Sequence, residues 1–411
     1  MLPTPRSPLP APTPGSALRP TRVLFITNIP SPYQVDFFTA LSERPEVEID
    51  VLFCAANEHD RQFTVPPHMS FNATILDSHR LPGTPKDWHR VPRLDCVLQD
   101  HMPFDLAVLS GSYSMPAVRT ARRFMICHRI PWYYWGENPR KKPGAAWRSW
   151  LREAYLRRFL APASGVFGVG LRACDTYRSL VSDGTPVHNL PYAPNLDPLL
   201  NPSEETRLAA ARLCAGWPAD APVVVLFSGS LTPRKAPETL LAAFAQVAAR
   251  HRNLCLQFVG DGPLRTMLEK EVRALGLSDR VRFLGFLEGP ALHAAYLSSD
   301  LFVLPTRTHE GWGVVVQEAL GAGLPVIASD CVGAASDLVL AGKNGWLFSS
   351  ASVDDLATLL GTAISAETRC AHRCRESVLQ SSDRHAANLI AMILGITQGP
   401  TRSSIPANVS A

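Results

Sequence analysis

Two glutamates, Glu310 and Glu318, stand eight positions apart, one in the turn-rich run His309-Glu310-Gly311-Trp312-Gly313 and the other inside the apolar helical stretch Val314 to Ala322. The apolar run Leu301 to Leu304 precedes them and reads as a buried strand. Strand, acidic glycine loop and helix, in that order, bring two carboxylates to one pocket at different depths. Gly313, Val314 and Val315 open the helix, where backbone N–H groups have no intrahelical partner and the helix dipole is positive. Such a start can receive a diphosphate. Glu318 can then accept hydrogen bonds from a ribose diol. Paired glutamates at this spacing are common by chance, so the reading rests on the elements around them.

Two further loops carry suitable chemistry. After the apolar run Val223 to Phe227 comes Ser228-Gly229-Ser230-Leu231-Thr232-Pro233-Arg234-Lys235, whose small residues let a phosphate approach while two cations stand ready for it. A surface turn with solvated charges is the plain alternative for that segment alone. After Leu254 to Val259 comes Gly260-Asp261-Gly262-Pro263, a tight turn with proline suited to a first helical position. It is no dinucleotide fingerprint, because Arg265 replaces the third glycine and the loop lies late in the chain.

Loops of this kind need strands to hold them. The chain has 411 residues, 46% apolar and 18% charged, which excludes wholesale disorder and requires more than one core of average size. Its net charge of +4 is too small for a dedicated nucleic-acid binder. Short apolar runs alternate with helical stretches in two series, the signature of parallel sheets wrapped by helices. The first series holds Val23–Asn28, Val47–Phe53, Leu106–Ser110, Trp132–Trp135 and Val166–Val169. The second holds Val223–Phe227, Leu254–Val259, Val281–Leu284, Leu301–Leu304 and Val326–Ala328. The expected organisation is a Pro-rich disordered tail at 1–20, a first domain at 21–195, a Pro- and Ala-rich linker at 196–221, a second domain at 222–397 and a tail at 398–411.

Taken together, Glu310 and Glu318 with Gly311-Trp312-Gly313 between them, followed by Glu-Ala-Leu-Gly-Ala-Gly-Leu-Pro-Val-Ile-Ala-Ser at 318–329, resemble the E-x7-E signature of retaining glycosyltransferase family 4. Gly229 to Lys235, Gly260 to Pro263 and Gly333 to Asp337 match its other loops in order and spacing. The resemblance is dense over 222–348 and looser over 22–197. It implies an α/β GT-B fold, two facing Rossmann-like domains with a cleft between them. It also implies transfer of a sugar from a nucleotide-diphosphate sugar to a glycan or lipid-linked acceptor with retention at the anomeric carbon. The resemblance assigns Glu310 to the donor sugar, Glu318 to the ribose, and Lys235 with the amides around Gly313 to the diphosphate. Gly229, Ser230, Gly260, Asp261, Gly262, Gly311, Trp312, Val314 and Val315 complete the expected donor site. The family's usual arginine is Ser230 here, which makes Arg234 the expected substitute, and its usual glutamate near 337 is Asp337. No cofactor beyond the co-substrate and no metal are implied.

The first half departs further. Asn28-Ile29-Pro30-Ser31-Pro32-Tyr33 replaces a glycine pair and resembles a subgroup with a Pro-Ser-Pro-Tyr start. A family position that is often histidine falls in Trp135-Gly136-Glu137-Asn138, which makes Glu137 a candidate for orienting the acceptor or the leaving phosphate; a polar cap on the strand end is the plain alternative. Arg140, Lys141, Lys142, Arg148, Arg152, Arg157 and Arg158 alternate with Trp147, Trp150, Leu151, Tyr155 and Phe159, a basic amphipathic helix that suits an anionic membrane surface or simple packing. Nine scattered cysteines and the lack of a long apolar span or leader lead to the expectation of a cytoplasmic protein, peripheral at the inner face of the membrane if that helix docks there. The rival functions are a nucleotide-sugar epimerase of the same fold and a non-catalytic nucleotide- or sugar-binding protein.

Overall fold

The computed structural model describes residues 19–57, 64–65, 68–80, 88–139, 146–217, 222–365 and 371–379. The tail at 398–411, residues 1–18 of the Pro-rich tail, Arg140, Lys141 and Lys142 lie outside the described residues.

Two parallel sheets carry the chain. The first contains β1 (Thr21–Thr27), β2 (Val47–Phe53), β3 (Asn72–Ile75), β4 (Leu106–Ser110), β5 (Trp132–Gly136), β6 (Gly165–Gly168) and β7 (Val187–Asn189), in the order β3-β2-β1-β4-β5-β6-β7. The second contains β8 (Val223–Ser228), β9 (Leu254–Val259), β10 (Val281–Gly285), β11 (Leu301–Leu304), β12 (Val326–Ser329) and β13 (Gly345–Phe348), in the order β10-β9-β8-β11-β12-β13. Central strands are apolar on both faces because helices cover both: Val23 to Ile26 in β1 and Val224 to Phe227 in β8 are at most 1% exposed. Each such side chain contributes about 1.5–3 kcal/mol by leaving water.

The strand order reverses between β1 and β4 and again between β8 and β11. At such a reversal the two neighbouring crossovers leave toward opposite faces, so a crevice opens beyond the carboxyl ends of the strands. One buried apolar cluster runs across both halves, joining Trp135, Leu190 and Leu196 to Trp312, Val316 and Leu320. The indole N–H of Trp135 donates to Leu190 O at 2.9 Å, so this large ring is buried without an orphaned donor.

Within the Pro- and Ala-rich linker expected at 196–221, the described residues 196–217 contain the helices Asp197–Leu200 and Glu204–Ala215. Ser203 caps the second of these through Oγ, which accepts from Thr206 N at 3.2 Å, and Glu204 and Glu205 complement the dipole in the first turn. That helix is tied to the second sheet where Arg282 donates to Leu213 O at 3.3 Å.

Candidate active site

Strands β8 and β11 lie side by side, so the loops after them emerge together at the reversal of the second sheet. The N–H of Arg307 donates to Arg234 O at 2.9 Å, joining the two loops through their backbones. Lys235 Nζ then lies 2.7 Å from Glu310 Oε2, and Arg234 pairs with the same carboxylate from 76 positions away in sequence. Lys235 is buried, and the Glu310 side chain is 13% exposed. Burial alone would push the Glu310 carboxyl up; the charges and hydrogen bonds of Lys235 and Arg234 outweigh it and hold the group at about 2. Glu310 is therefore a carboxylate at neutral pH.

The Gly260 loop braces this assembly from behind. A Cβ on Gly260 would lie 2.1 Å from Gly229 O, and Gly260 has φ +119°, so both space and backbone require glycine. Leu231 N donates to Asp261 O at 2.9 Å and Leu264 N to Leu231 O at 3.0 Å, fixing the loop that carries Gly229 and Ser230. The Asp261 carboxylate accepts from Gly262 N at 2.7 Å and from Arg265 at 3.0 Å.

The helix Val315–Ala322 begins directly beyond Gly313, whose φ of +94° turns the chain into it. Val316 donates to Gly313 O and Glu318 to Val314 O, which leaves the amides of Gly313, Val314 and Val315 ahead of the first intrahelical bond. Glu318 accepts a hydrogen bond from the Tyr296 hydroxyl at 2.7 Å. Burial pushes the Glu318 carboxyl up, the Tyr296 hydroxyl opposes this, and the charge of Asp36 in the first domain raises it further. Asp36 is raised by burial as well, partly offset by Asn195 N, which donates to it at 2.9 Å.

The first domain closes over these loops. Glu137 lies just past β5 with its carboxyl over Gly311: a Cβ there would meet Glu137 Oε2 at 1.8 Å. Its carbonyl accepts from the Tyr177 hydroxyl at 2.7 Å. Trp312 is buried in the domain interface, where a Cβ on Gly170 would meet its ring at 2.6 Å. Its indole N–H donates to Gln317 Oε1 at 2.7 Å, and Gln317 Nε2 donates to Tyr192 O at 2.9 Å, so the side chain serves the interface and the backbone serves the loop. Asp337 also reaches the first domain, accepting from Leu171 N at 2.8 Å at the start of the helix Leu171–Arg178. Beside it Arg172 donates to Asp330 O at 2.6 Å. A small pocket lies between these contacts, lined by Asn138, Gly170, Arg172, Glu310, Gly311 and Asp337.

Sequence reading missed Tyr296, Gln317, Asp36 and the interdomain role of Asp337. Tyr296 had a signal: a hydroxyl buried in the mostly apolar helix Gly289–Leu297 must find a partner. The partner of Asp337 lies in the other domain and Asn195 is 159 positions from Asp36, so neither left a local mark. Among the described residues no three His, Cys, Asp or Glu side chains gather as a metal site, and no helix is long and apolar enough to cross a membrane.

Solved structures share this architecture over most of the chain. The HepE protein of Anabaena, determined with UDP and glucose, aligns with 92% of this chain and 99% of its own at TM-score 0.66 and 19% identity. Sucrose-phosphate synthase from Thermosynechococcus elongatus aligns with 91% and 99% at TM-score 0.68 and 19% identity. This chain has the GT-B fold. Within the GT-B chain, residues 217–378 match the family of glycosyl transferases group 1. A GDP-mannose-dependent alpha-(1-6)-phosphatidylinositol monomannoside mannosyltransferase of Mycolicibacterium smegmatis is 34% identical over 158 residues, 37% of this chain and 41% of that one. A D-inositol 3-phosphate glycosyltransferase of Rhodococcus erythropolis is 35% identical over 173 residues, 40% of this chain and 38% of that one. The chain thus spans about two fifths of the length of these curated relatives, and the family match at 217–378 includes Lys235, Glu310 and Glu318.

Proposed function

We propose that this chain is a glycosyltransferase that takes a sugar from a nucleotide-diphosphate sugar and passes it to a glycan or lipid-linked acceptor, retaining the anomeric configuration. The observation that carries the reading is the convergence of Lys235 and Arg234 on Glu310 beside the helix start at Gly313–Val315. Breaking a sugar–phosphate bond develops negative charge on the departing diphosphate, and preorganised cations with backbone N–H groups aimed at that charge lower the barrier. Lys235 and Arg234 supply the cations, and Gly313, Val314 and Val315 supply the amides. Glu310 stays ionised beside them and accepts hydrogen bonds from the donor sugar, while Glu318 accepts the ribose hydroxyls. Glu137 faces Gly311 from the acceptor side and orients either the acceptor hydroxyl or the leaving phosphate.

The related structures and proteins support a nucleotide-sugar donor in general terms: HepE is named in complex with UDP, and the mycobacterial relative is named for GDP-mannose. Thermal stabilisation across a panel of UDP-, GDP- and ADP-sugars identifies the donor, and turnover is then measured with and without acceptor. Transfer that depends on acceptor and gives a product with the donor's anomeric configuration by NMR supports the proposal. Conversion of the donor sugar with no acceptor present would make the protein an epimerase, and no stabilisation by any nucleotide sugar would remove the donor site.

A further inference from the structure

The helix Ala146–Leu160 was expected to carry one apolar stripe, but its apolar residues divide between two faces. Leu156, Phe159 and Leu160 are buried against the first domain. Trp147, Trp150 and Leu151 are 59%, 67% and 50% exposed, and Tyr155 is exposed next to them. Trp147, Trp150, Leu151 and Tyr155 follow a helical repeat, so they form a continuous strip, and Ile126 of the helix Pro116–His128 extends it across a shallow groove. No folding argument accounts for two adjacent indoles in water. Isolated exposed apolar side chains are ordinary, whereas a contiguous strip marks an interaction site.

Arginines surround the strip. Arg119, Arg122, Arg123 and Arg158 line the groove beneath Tyr155, and Arg148, Arg152 and Arg157 follow along the helix. Arg122 is committed to the fold, donating to Phe159 O at 2.8 Å, and Arg157 pairs with Glu153 at 2.8 Å. Among the described residues, Arg119, Arg123, Arg148, Arg152 and Arg158 have no carboxylate within ion-pair distance. Seven arginines against one glutamate exceed the net charge of +4 of the entire chain, so this face holds the positive charge that the rest of the molecule lacks.

We propose that this face docks on an anionic lipid bilayer, with Trp147, Trp150 and Leu151 in the interfacial layer and the arginines against lipid phosphates. The chemistry fits a bilayer better than a protein: indoles prefer the boundary between headgroups and acyl chains, and unpaired guanidinium groups prefer a surface of many phosphates. The position fits too. A helix that follows a parallel strand starts at the strand's carboxyl end, so Trp147 and Trp150 lie on the side of the domain where the cleft opens, shortly beyond Glu137. Tyr113, in the loop after β4 on that same side, packs on Tyr155 with ring centroids 6.0 Å apart. This deepens the proposed function, because a docked enzyme would meet a lipid-linked acceptor without its leaving the membrane.

The test measures binding alone, without donor or acceptor, so it stands or falls separately from the proposed transfer. The full chain is sedimented with vesicles of phosphatidylcholine, and with vesicles in which about 30% is phosphatidylglycerol, at low and high salt. Strong binding to the anionic vesicles only, weakened by salt, is the expected result. Each arginine near the surface adds about fivefold, so Arg148→Ser, Arg152→Ser and Arg158→Ser together should weaken binding by about a hundredfold. Trp147→Ser with Trp150→Ser should weaken it at least tenfold with unchanged thermal stability, since neither ring is buried. Vesicle binding that ignores these substitutions overturns the proposal. So does a dimer in light scattering that Trp150→Ser dissociates, because the strip would then be covered by a second copy.

Discussion

Glu137 of the first domain lies directly over Gly311 of the second, so close that a Cβ on Gly311 would sit 1.8 Å from its carboxylate oxygen. The contact joins the first domain to the loop that carries Glu310. A methyl group there must push the Glu137 carboxyl aside, and the cost falls on a movable side-chain end more than on the core.

Gly311→Ala should therefore leave the melting temperature within a few degrees of the wild type and reduce kcat by about tenfold or more, as displacing a positioned group does. Thermal melts and steady-state rates check this. Unchanged kcat would mean that the position of Glu137 is immaterial to turnover.

The hydroxyl of Tyr296 holds Glu318, and Tyr296→Phe removes that hydrogen bond without changing the volume packed in the core. The loss to stability should be about 1 kcal/mol. Glu318 would rise further, because the hydroxyl is what opposes the effect of burial. If Glu318 holds the ribose as a carboxylate, KM for the donor should increase several-fold while kcat changes little, and Glu318→Ala should weaken donor binding more strongly. Calorimetry with the nucleotide diphosphate separates the two variants.

Much of this arrangement could be read in the residues, for physical reasons that differ by element. Central strands such as Val23–Ile26 and Leu301–Leu304 announce themselves because both faces are buried and every residue must be apolar. Edge strands β3, β7 and β13 escaped notice: each has three or four residues, and Asn72–Ile75 mixes polar with apolar side chains on a half-covered edge. The helix Glu204–Ala215 was hidden behind flanking prolines, although Ser203-Glu204-Glu205 is a sound capping signal. At the site, the residue types around Glu310 and Lys235 were legible because the loop chemistry is local. Their shared ion pair was not, because it depends on β8 and β11 becoming neighbours. Trp312 looked like part of the donor loop, and only the folded chain shows its ring buried against Gly170.

The Glu310 ion pairs predict a pH dependence with a definite sign. A carboxyl held at about 2, against an ordinary value of 4.5, stabilises the fold fully above pH 4.5 and loses that contribution as pH falls toward 2. The full effect is on the order of 3 kcal/mol. Glu310→Gln leaves Lys235 and Arg234 facing a neutral amide, so at pH 7 it should be less stable than the wild type by about that amount. The gap should narrow as the pH is lowered from 4.5 to 2, because the wild type then loses the same charge. Urea unfolding at pH 7 and near pH 3 measures both gaps; a gap that widens in acid would contradict the assignment of charges.

The guanidinium of Arg234 is paired with Glu310, so it already stands beside the carboxylate that the proposed chemistry places next to the reacting sugar. Lys235 shares that carboxylate, which means Arg234→Ala leaves Glu310 with one cation and should affect stability only modestly. Catalysis should be more sensitive, because the departing diphosphate needs charge that one ammonium and a helix start supply only in part. A loss of about ten- to a thousandfold in kcat is expected for removing one charged transition-state contact. Ser230 lies on the same loop, braced by Gly260 and Gly262, and its half-exposed side chain leaves room for a longer one. Adding Ser230→Arg to the Arg234→Ala enzyme should restore part of the loss, whereas the same substitution in the wild type should give little. Steady-state rates for the two single variants and the double variant decide between the alternatives. Full activity in Arg234→Ala would leave Lys235 and the helix at Val315 to neutralise the phosphates, and rescue that fails would mean that the two positions do not reach the same charge.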